Sequence, residues 1–169
     1  MTVQKKIEKE YDLFLQEKPK NILIYIKKEN KPLYTSIIAR EVNTTYAHTF
    51  NVLKRLERLK LVSFKESGRI KLIRLTELGD EVAKVMINML DLLELGELEN
   101  ELQKTHENEI KGKLREQMNK EQISKNINKL KDKLAEFSKN KQDNILVMSK
   151  KLSKRIDDTL AEAFGYPQG

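Results

Sequence analysis

Residues 38–62 read IAREVNTTYAHTFNVLKRLERLKLV, and their pattern decides the fold. Residues 38–42 suit a short helix, with small Ala39 where a second helix would cross closely. Asn43 and Thr44 mark a turn, because Asn tolerates the left-handed backbone that a tight turn needs. Thr45 is placed to cap the next helix by accepting a hydrogen bond from an otherwise orphaned N–H. From Tyr46 to about Lys60 the apolar residues recur at helical intervals. At about 100° per residue, Thr49, Val52, Leu53, Leu56 and Leu59 share one side. Ala47, Asn51, Lys54, Arg55 and Arg58 share the other, with His48 and Phe50 at the borders.

Upstream, Ile7, Tyr11, Phe14 and Leu15 predict a helix over residues 4–16. Lys18-Pro19-Lys20 is expected to end it, since Pro disfavours the helical conformation in the residue before it. Residues 21–29 predict a short buried helix through Ile22, Leu23, Tyr25 and Ile26, stopped by Asn30-Lys31-Pro32. Leu33-Tyr34 is read as extended, with Thr35 or Ser36 as the cap of the helix that follows. Downstream, residues 61–65 and 69–75 have β character, and Ser67-Gly68 between them signals a hairpin. Thr76 opens another helix, with Glu77, Asp80 and Glu81 near the positive end of its dipole.

That helix is apolar around much of its girth and must bury against something. A second copy of the chain is the expected partner, through Val82, Val85, Met86, Met89, Leu90 and Leu93. Gly96 is expected to break or bend it. Further on, Ile123, Ile127, Leu130, Leu134 and Phe137 follow a short coiled-coil register. Residues 140–144 read as a break, and a last helix carries Ile145 to Phe164 before Gly165 and Pro167. The predicted fold class is mainly α with a small β-hairpin wing: a winged helix-turn-helix followed by long coiled-coil-like helices. The predicted division is a winged domain over residues 1–75 and a helical dimerisation region over 76–169.

The order of helices, turn and hairpin across residues 20–90 resembles that of the MarR-like winged-helix regulators. The similarity runs from the helix at 38–42, through Thr49, Leu53, Leu56 and Leu59, to Leu61-Val62 at the start of the wing. After the wing, Leu75-Thr76, Gly79 and Ala83 resemble the family's "LT..G...A" sequence. The chain departs from the pattern at Asn43-Thr44, where Gly is commoner, and at Lys60, where the family often has Gly. Beyond residue 95 the resemblance is weak. It implies a homodimeric transcription regulator that binds double-stranded DNA, and it allows a small-molecule effector that no residue here identifies.

The residues fit that expectation. A helix with one apolar side and one Asn/Lys/Arg side suits a major groove: Asn51 is suited to adenine, Thr45 and Tyr46 near the N-terminus are placed for base edges or phosphate, and Ala47 shares their outward side. Lys54, Arg55 and Arg58 are placed for phosphates, which fix position without reading sequence. On the wing, Lys65, Ser67, Gly68, Arg69 and Lys71 are the candidate contacts, and an Arg on a thin hairpin suits a narrow minor groove. Glu66 would repel phosphate there.

Charge supports a nucleic-acid partner at the head of the chain. Residues 1–75 hold 17 basic and 8 acidic side chains, residues 76–110 hold 2 and 10, and residues 111–169 hold 14 and 8. A basic head, acidic middle and basic tail admit two alternatives: a nucleoid-type architectural protein coating duplex DNA, and a protein-interaction module in a replication or transcription assembly. With no Cys, a thiolate site and a Cys nucleophile are excluded, and six Gly with no phosphate-cradling Gly loop argue against a nucleotide-binding α/β enzyme. His48 and His106 lack partners at metal-ligand or triad spacing. No enzyme, metal or cofactor is expected. The absence of a long apolar run and of a signal-like N-terminus predicts a cytoplasmic, nucleoid-associated protein with no membrane partner.

Overall fold

A computed structural model describes residues 16–67, 70–139 and 142–165. The helix predicted over residues 4–16 and the wing-tip residues Gly68 and Arg69 lie outside the described residues. In chain order the elements are α1 (Glu17–Glu29), α2 (Thr35–Glu41), α3 (Tyr46–Arg58), β1 (Val62–Ser67), β2 (Ile70–Leu75), α4 (Glu77–Glu109), α5 (Lys120–Ala135) and α6 (Asp143–Phe164). Short 3-10 turns at Arg115–Gln117 and Glu136–Lys139 flank α5. The fold is mainly α with one antiparallel hairpin, a winged helix-turn-helix followed by long helices. The chain divides into two compact units, residues 1–87 and 88–169. The boundary between these units falls inside α4.

In the first unit, Ile22, Leu23 and Ile26 of α1 meet Ile38 of α2, Val52, Leu53 and Leu56 of α3, and Ile73 of β2 in one core. Burying each such side chain contributes about 1.5–3 kcal/mol, so α3 is anchored firmly by its inner face. Leu33 adds a third strand-like rung to the sheet: its N–H donates to the Ile73 carbonyl and its carbonyl accepts from the Ile73 N–H. The hairpin pairs Val62 with Leu75 and Phe64 with Ile73. This register turns Val62 and Ile73 inward.

Three helix boundaries differ from expectation. Pro19 lies in the first turn of α1, which starts at Glu17 rather than at residue 21; a missing N–H costs nothing there because that turn has no intrahelical acceptor. The N-cap of α2 is Tyr34, without a side-chain hydrogen bond, so neither Thr35 nor Ser36 caps it. Gly96 does not interrupt α4, which runs unbroken from Glu77 to Glu109. Asn43 takes positive φ, at 50°, as its chemistry implies, and Lys60, where the family often has Gly, does so too at 60°.

The expected dimer face also needs correction. Met86 is 7% exposed and belongs to the core of the first unit, with Val82 packed against that core. A helix apolar on several sides does not announce which side faces its own chain. Val85, Met89 and Leu93 are exposed, at 68%, 46% and 59%, and lie four residues apart along α4; Leu90 is half-buried.

In the second unit the helices fold back on one another. Leu95, Leu98 and Leu102 pack with Ile123, Ile127, Leu130 and Leu134 of α5 and with Ile145, Leu152 and Ile156 of α6. The coiled-coil spacing of α5 is thus satisfied within the chain. Ion pairs tie the rim: Arg155 to Glu99, Lys131 to Asp157 at 3.0 Å and Lys133 to Glu101 at 3.4 Å. Arg115 donates through Nε to the Glu162 carbonyl near the C-terminal end of α6.

Candidate nucleic-acid interface

The site is built on α3. Its N-cap is Thr45, whose hydroxyl accepts from the His48 N–H at 3.2 Å. No acidic residue occupies the first turn, so the partial positive charge of this helix end is left unneutralised and favours an anion. Thr49, Val52, Leu53 and Leu56 are buried. Thr45, Tyr46, Ala47, His48, Asn51 and Arg58 are exposed, while Phe50, Lys54 and Arg55 are half-buried. His48, a border residue by phase, therefore faces solvent.

The aromatic residues form a chain of contacts. The Tyr46 and Phe50 rings lie parallel with centroids 6.3 Å apart, and Phe50 meets Phe64 of β1 edge-on at 6.3 Å. Tyr46, at the outer end, is 58% exposed. Lys54 forms an ion pair with Glu57 at 2.8 Å, whereas no ion pair involves Arg55 or Arg58 among the described residues. Phe50, Glu57 and Phe64 were missed as site residues by sequence reasoning. The i,i+3 spacing of Lys54 and Glu57 signals their pairing, but the approach of Phe64 depends on how the hairpin returns over α3.

On the hairpin, Lys65 is exposed, and Lys71 stands opposite Glu66 across the ladder with its Nζ 3.5 Å from the carboxylate. Ser67 ends β1 and pairs with Ile70. The structure brings Lys65 and Lys71 onto one ribbon that follows α3 directly.

The wing is fastened at its far end by the sequence Leu75-Thr76. The Thr76 N–H donates to the Leu61 carbonyl at 3.0 Å, and its hydroxyl donates to the Lys60 carbonyl and accepts from the Gly79 N–H at 3.0 Å. Gly79 is buried against the Leu61 backbone. The "LT..G" pattern thus has a physical basis in the joint between α3, the hairpin and α4.

An open cleft of about 610 Å³ lies in the same unit, beside the end of α1 and the start of α4. Its walls are ionic. Lys27 pairs with Asp80, and Lys84 bridges Asp80 at 3.0 Å and Glu81 at 2.6 Å. Hydrogen bonds donated by Lys27 and then Lys84 hold the Asp80 carboxyl below its usual range, and the bonds Lys84 donates to Glu81 and Asp80 raise its own pKa. Among the described residues, no group of three or more His, Asp or Glu side chains is placed to hold a metal ion. No helix there is long and apolar enough to cross a membrane.

No protein-family model matches the chain. An uncharacterized protein of Archaeoglobus fulgidus is 32% identical over 85 residues, covering 48% of this chain and 90% of the relative. The chain belongs to the family of that archaeal protein. The crystal structure of AF1382 from Archaeoglobus fulgidus is likewise 32% identical, covering 47% of this chain and 90% of its own, with a TM-score of 0.45. MepR, a transcription regulator of the Staphylococcus aureus multidrug efflux pump MepA, is 18% identical over 79% of this chain and 86% of its own, with a TM-score of 0.51. At that identity the likeness speaks for the fold alone, a winged helix-turn-helix.

Proposed function

We propose that the chain is a transcription regulator that binds double-stranded DNA sequence-specifically as a homodimer. The observation that carries this is the two-sidedness of α3. One side is locked into the core, while Thr45, Tyr46, Ala47, Asn51 and Arg58 stand exposed beside an acid-free helix N-terminus and a cationic hairpin. Laid in a major groove, Asn51 offers the paired donor and acceptor that match adenine, and Tyr46 offers ring surface to a thymine methyl. Arg55 and Arg58 serve phosphates, and Lys65 and Lys71, with Ser67, Gly68 and Arg69 at the tip, serve the flanking backbone or minor groove.

Two copies would join through the exposed Val85, Met89 and Leu93 of α4. Such a dimer favours a pseudo-palindromic site with half-sites about one helical turn, ~34–36 Å, apart. The deciding experiment is selection of bound sequences from random duplex DNA at physiological salt. Enrichment of two related half-sites is the expected result. Tight binding without enrichment indicates an architectural DNA-coating protein instead. No duplex binding by the folded chain indicates a protein-interaction module.

A further inference from the structure

Lys54 does not extend freely from the outer face of α3. Its Nζ lies 4.7 Å from the centroid of Phe64 on β1 and 5.8 Å from that of Phe50. The Glu57 carboxylate holds the same nitrogen at 2.8 Å. One ammonium is therefore contacted by an aromatic ring from each of two elements and paired with an anion where it stands. Arg58, one turn further on, is exposed, and among the described residues no ion pair involves it.

A helix in one groove and a hairpin beside it must keep a fixed separation to touch a duplex together. Freedom between them has to be frozen on binding, at a cost in affinity. Phe64 touches Phe50 and Lys54 across the space between α3 and β1 in the free protein, beside the core contact of Val62 with α3. We propose that Lys54 is a positioning residue that fastens the wing to α3 and does not neutralise a phosphate. This rests on the duplex-binding function proposed above.

The test uses the full chain and its selected duplex, with affinity measured across a salt series. The variant Lys54→Met/Glu57→Gln removes the pair together and leaves net charge unchanged. It should lower affinity about twofold to fivefold, the equivalent of a surface cation–π contact, with the wild-type slope of log affinity against log salt. Phe64→Leu, which keeps both charges, should give the same loss and the same slope. Lys65→Ala should cost less in the double variant than in the wild-type chain, because the wing is no longer held. Lys54→Arg should retain wild-type affinity, since a guanidinium also sits well over an aromatic ring.

A slope shallower by about 0.9 in the double variant means a lost phosphate contact and overturns the proposal. Unchanged affinity, or a Lys65→Ala cost that is strictly additive, overturns it as well. A wild-type chain that binds no duplex at any salt overturns the duplex-binding function and this proposal with it. The slope result therefore separates the two failures.

Discussion

Gly79 sits with its α-carbon against the carbonyl of Leu61, so closely that a Cβ on Gly79 would stand 1.8 Å from the Leu61 oxygen. The neighbour is backbone, not a flexible side-chain end. That same carbonyl accepts from the Thr76 N–H, so it cannot retreat without loosening the joint that seats the wing. Gly79→Ala should therefore destabilise the first unit by about 1–3 kcal/mol or more, the range for forced overpacking. Denaturant unfolding followed by a probe in that unit checks it.

Lys60 holds a left-handed backbone at φ 60° between α3 and β1. An L residue there costs about 1–2 kcal/mol relative to the right-handed region, while Gly loses roughly 0.5–1 kcal/mol more conformational entropy on folding. Lys60→Gly should thus stabilise the protein modestly, by up to about 1 kcal/mol. Lys60→Val should do the opposite, because a β-branched residue fits that region worst. Thermal melting of the three chains gives the order.

Asp80 supplies a pH dependence of known sign. Hydrogen bonds from Lys27 and Lys84 lower its folded-state pKa below the ordinary Asp value of 3.8. The unfolded chain therefore takes up the proton first as pH falls. The stabilisation is present above pH 3.8 and disappears as pH drops through the lower folded value. Asp80→Asn should be less stable than the wild-type chain at pH 6, and the gap should narrow by pH 3. Unfolding midpoints at both pH values measure it.

Arg58 and Asn51 should fail differently if α3 enters a groove. Arg58→Ala should weaken binding to all sequences alike and make the salt slope shallower by about 0.9. Asn51→Ala should cost about 1–3 kcal/mol on the selected site and relax preference at one position. Equal losses on selected and scrambled duplexes for Asn51→Ala would remove its base-reading role.

Val85, Met89 and Leu93 give the oligomeric test. Met89→Glu or Leu93→Glu should shift a dimer to monomer with little loss of monomer stability, since both side chains are exposed in the single chain. Sedimentation at several concentrations reads the change. Met86→Glu should instead unfold the first unit, because that side chain belongs to its core.

Much of this architecture was legible before any coordinates. The inner face of α3 follows from Thr49, Val52, Leu53 and Leu56 alone, because the 3.6-residue period leaves little choice of side. The hairpin follows from its turn residues, and the left-handed turn at Asn43 from the chemistry of Asn. Pro19 misled because the same residue that stops a helix is welcome in the first turn of one. Met86 and Val82 misled because α4 is apolar on more than one side and its phase is ambiguous. The folding back of α5 and α6 was not legible, since a heptad seam is the same whether the partner helix belongs to this chain or to another. At the site, the exposure of Asn51 and Arg58 follows from helix phase. The engagement of Lys54 with Phe64 depends on tertiary geometry.

The two cores share no buried residue among those described: one gathers residues from Ile22 to Met86, the other from Leu95 to Ala163. Each network buries its own set of residues, so each unit is expected to melt in a transition of its own. Calorimetric and van't Hoff enthalpies should then disagree, with the calorimetric value the larger, because all-or-none behaviour holds for a single cooperative block. A midpoint recorded by overall helicity would average two transitions and weight the helical bundle most. A reporter near the hairpin would follow only the half that carries α3.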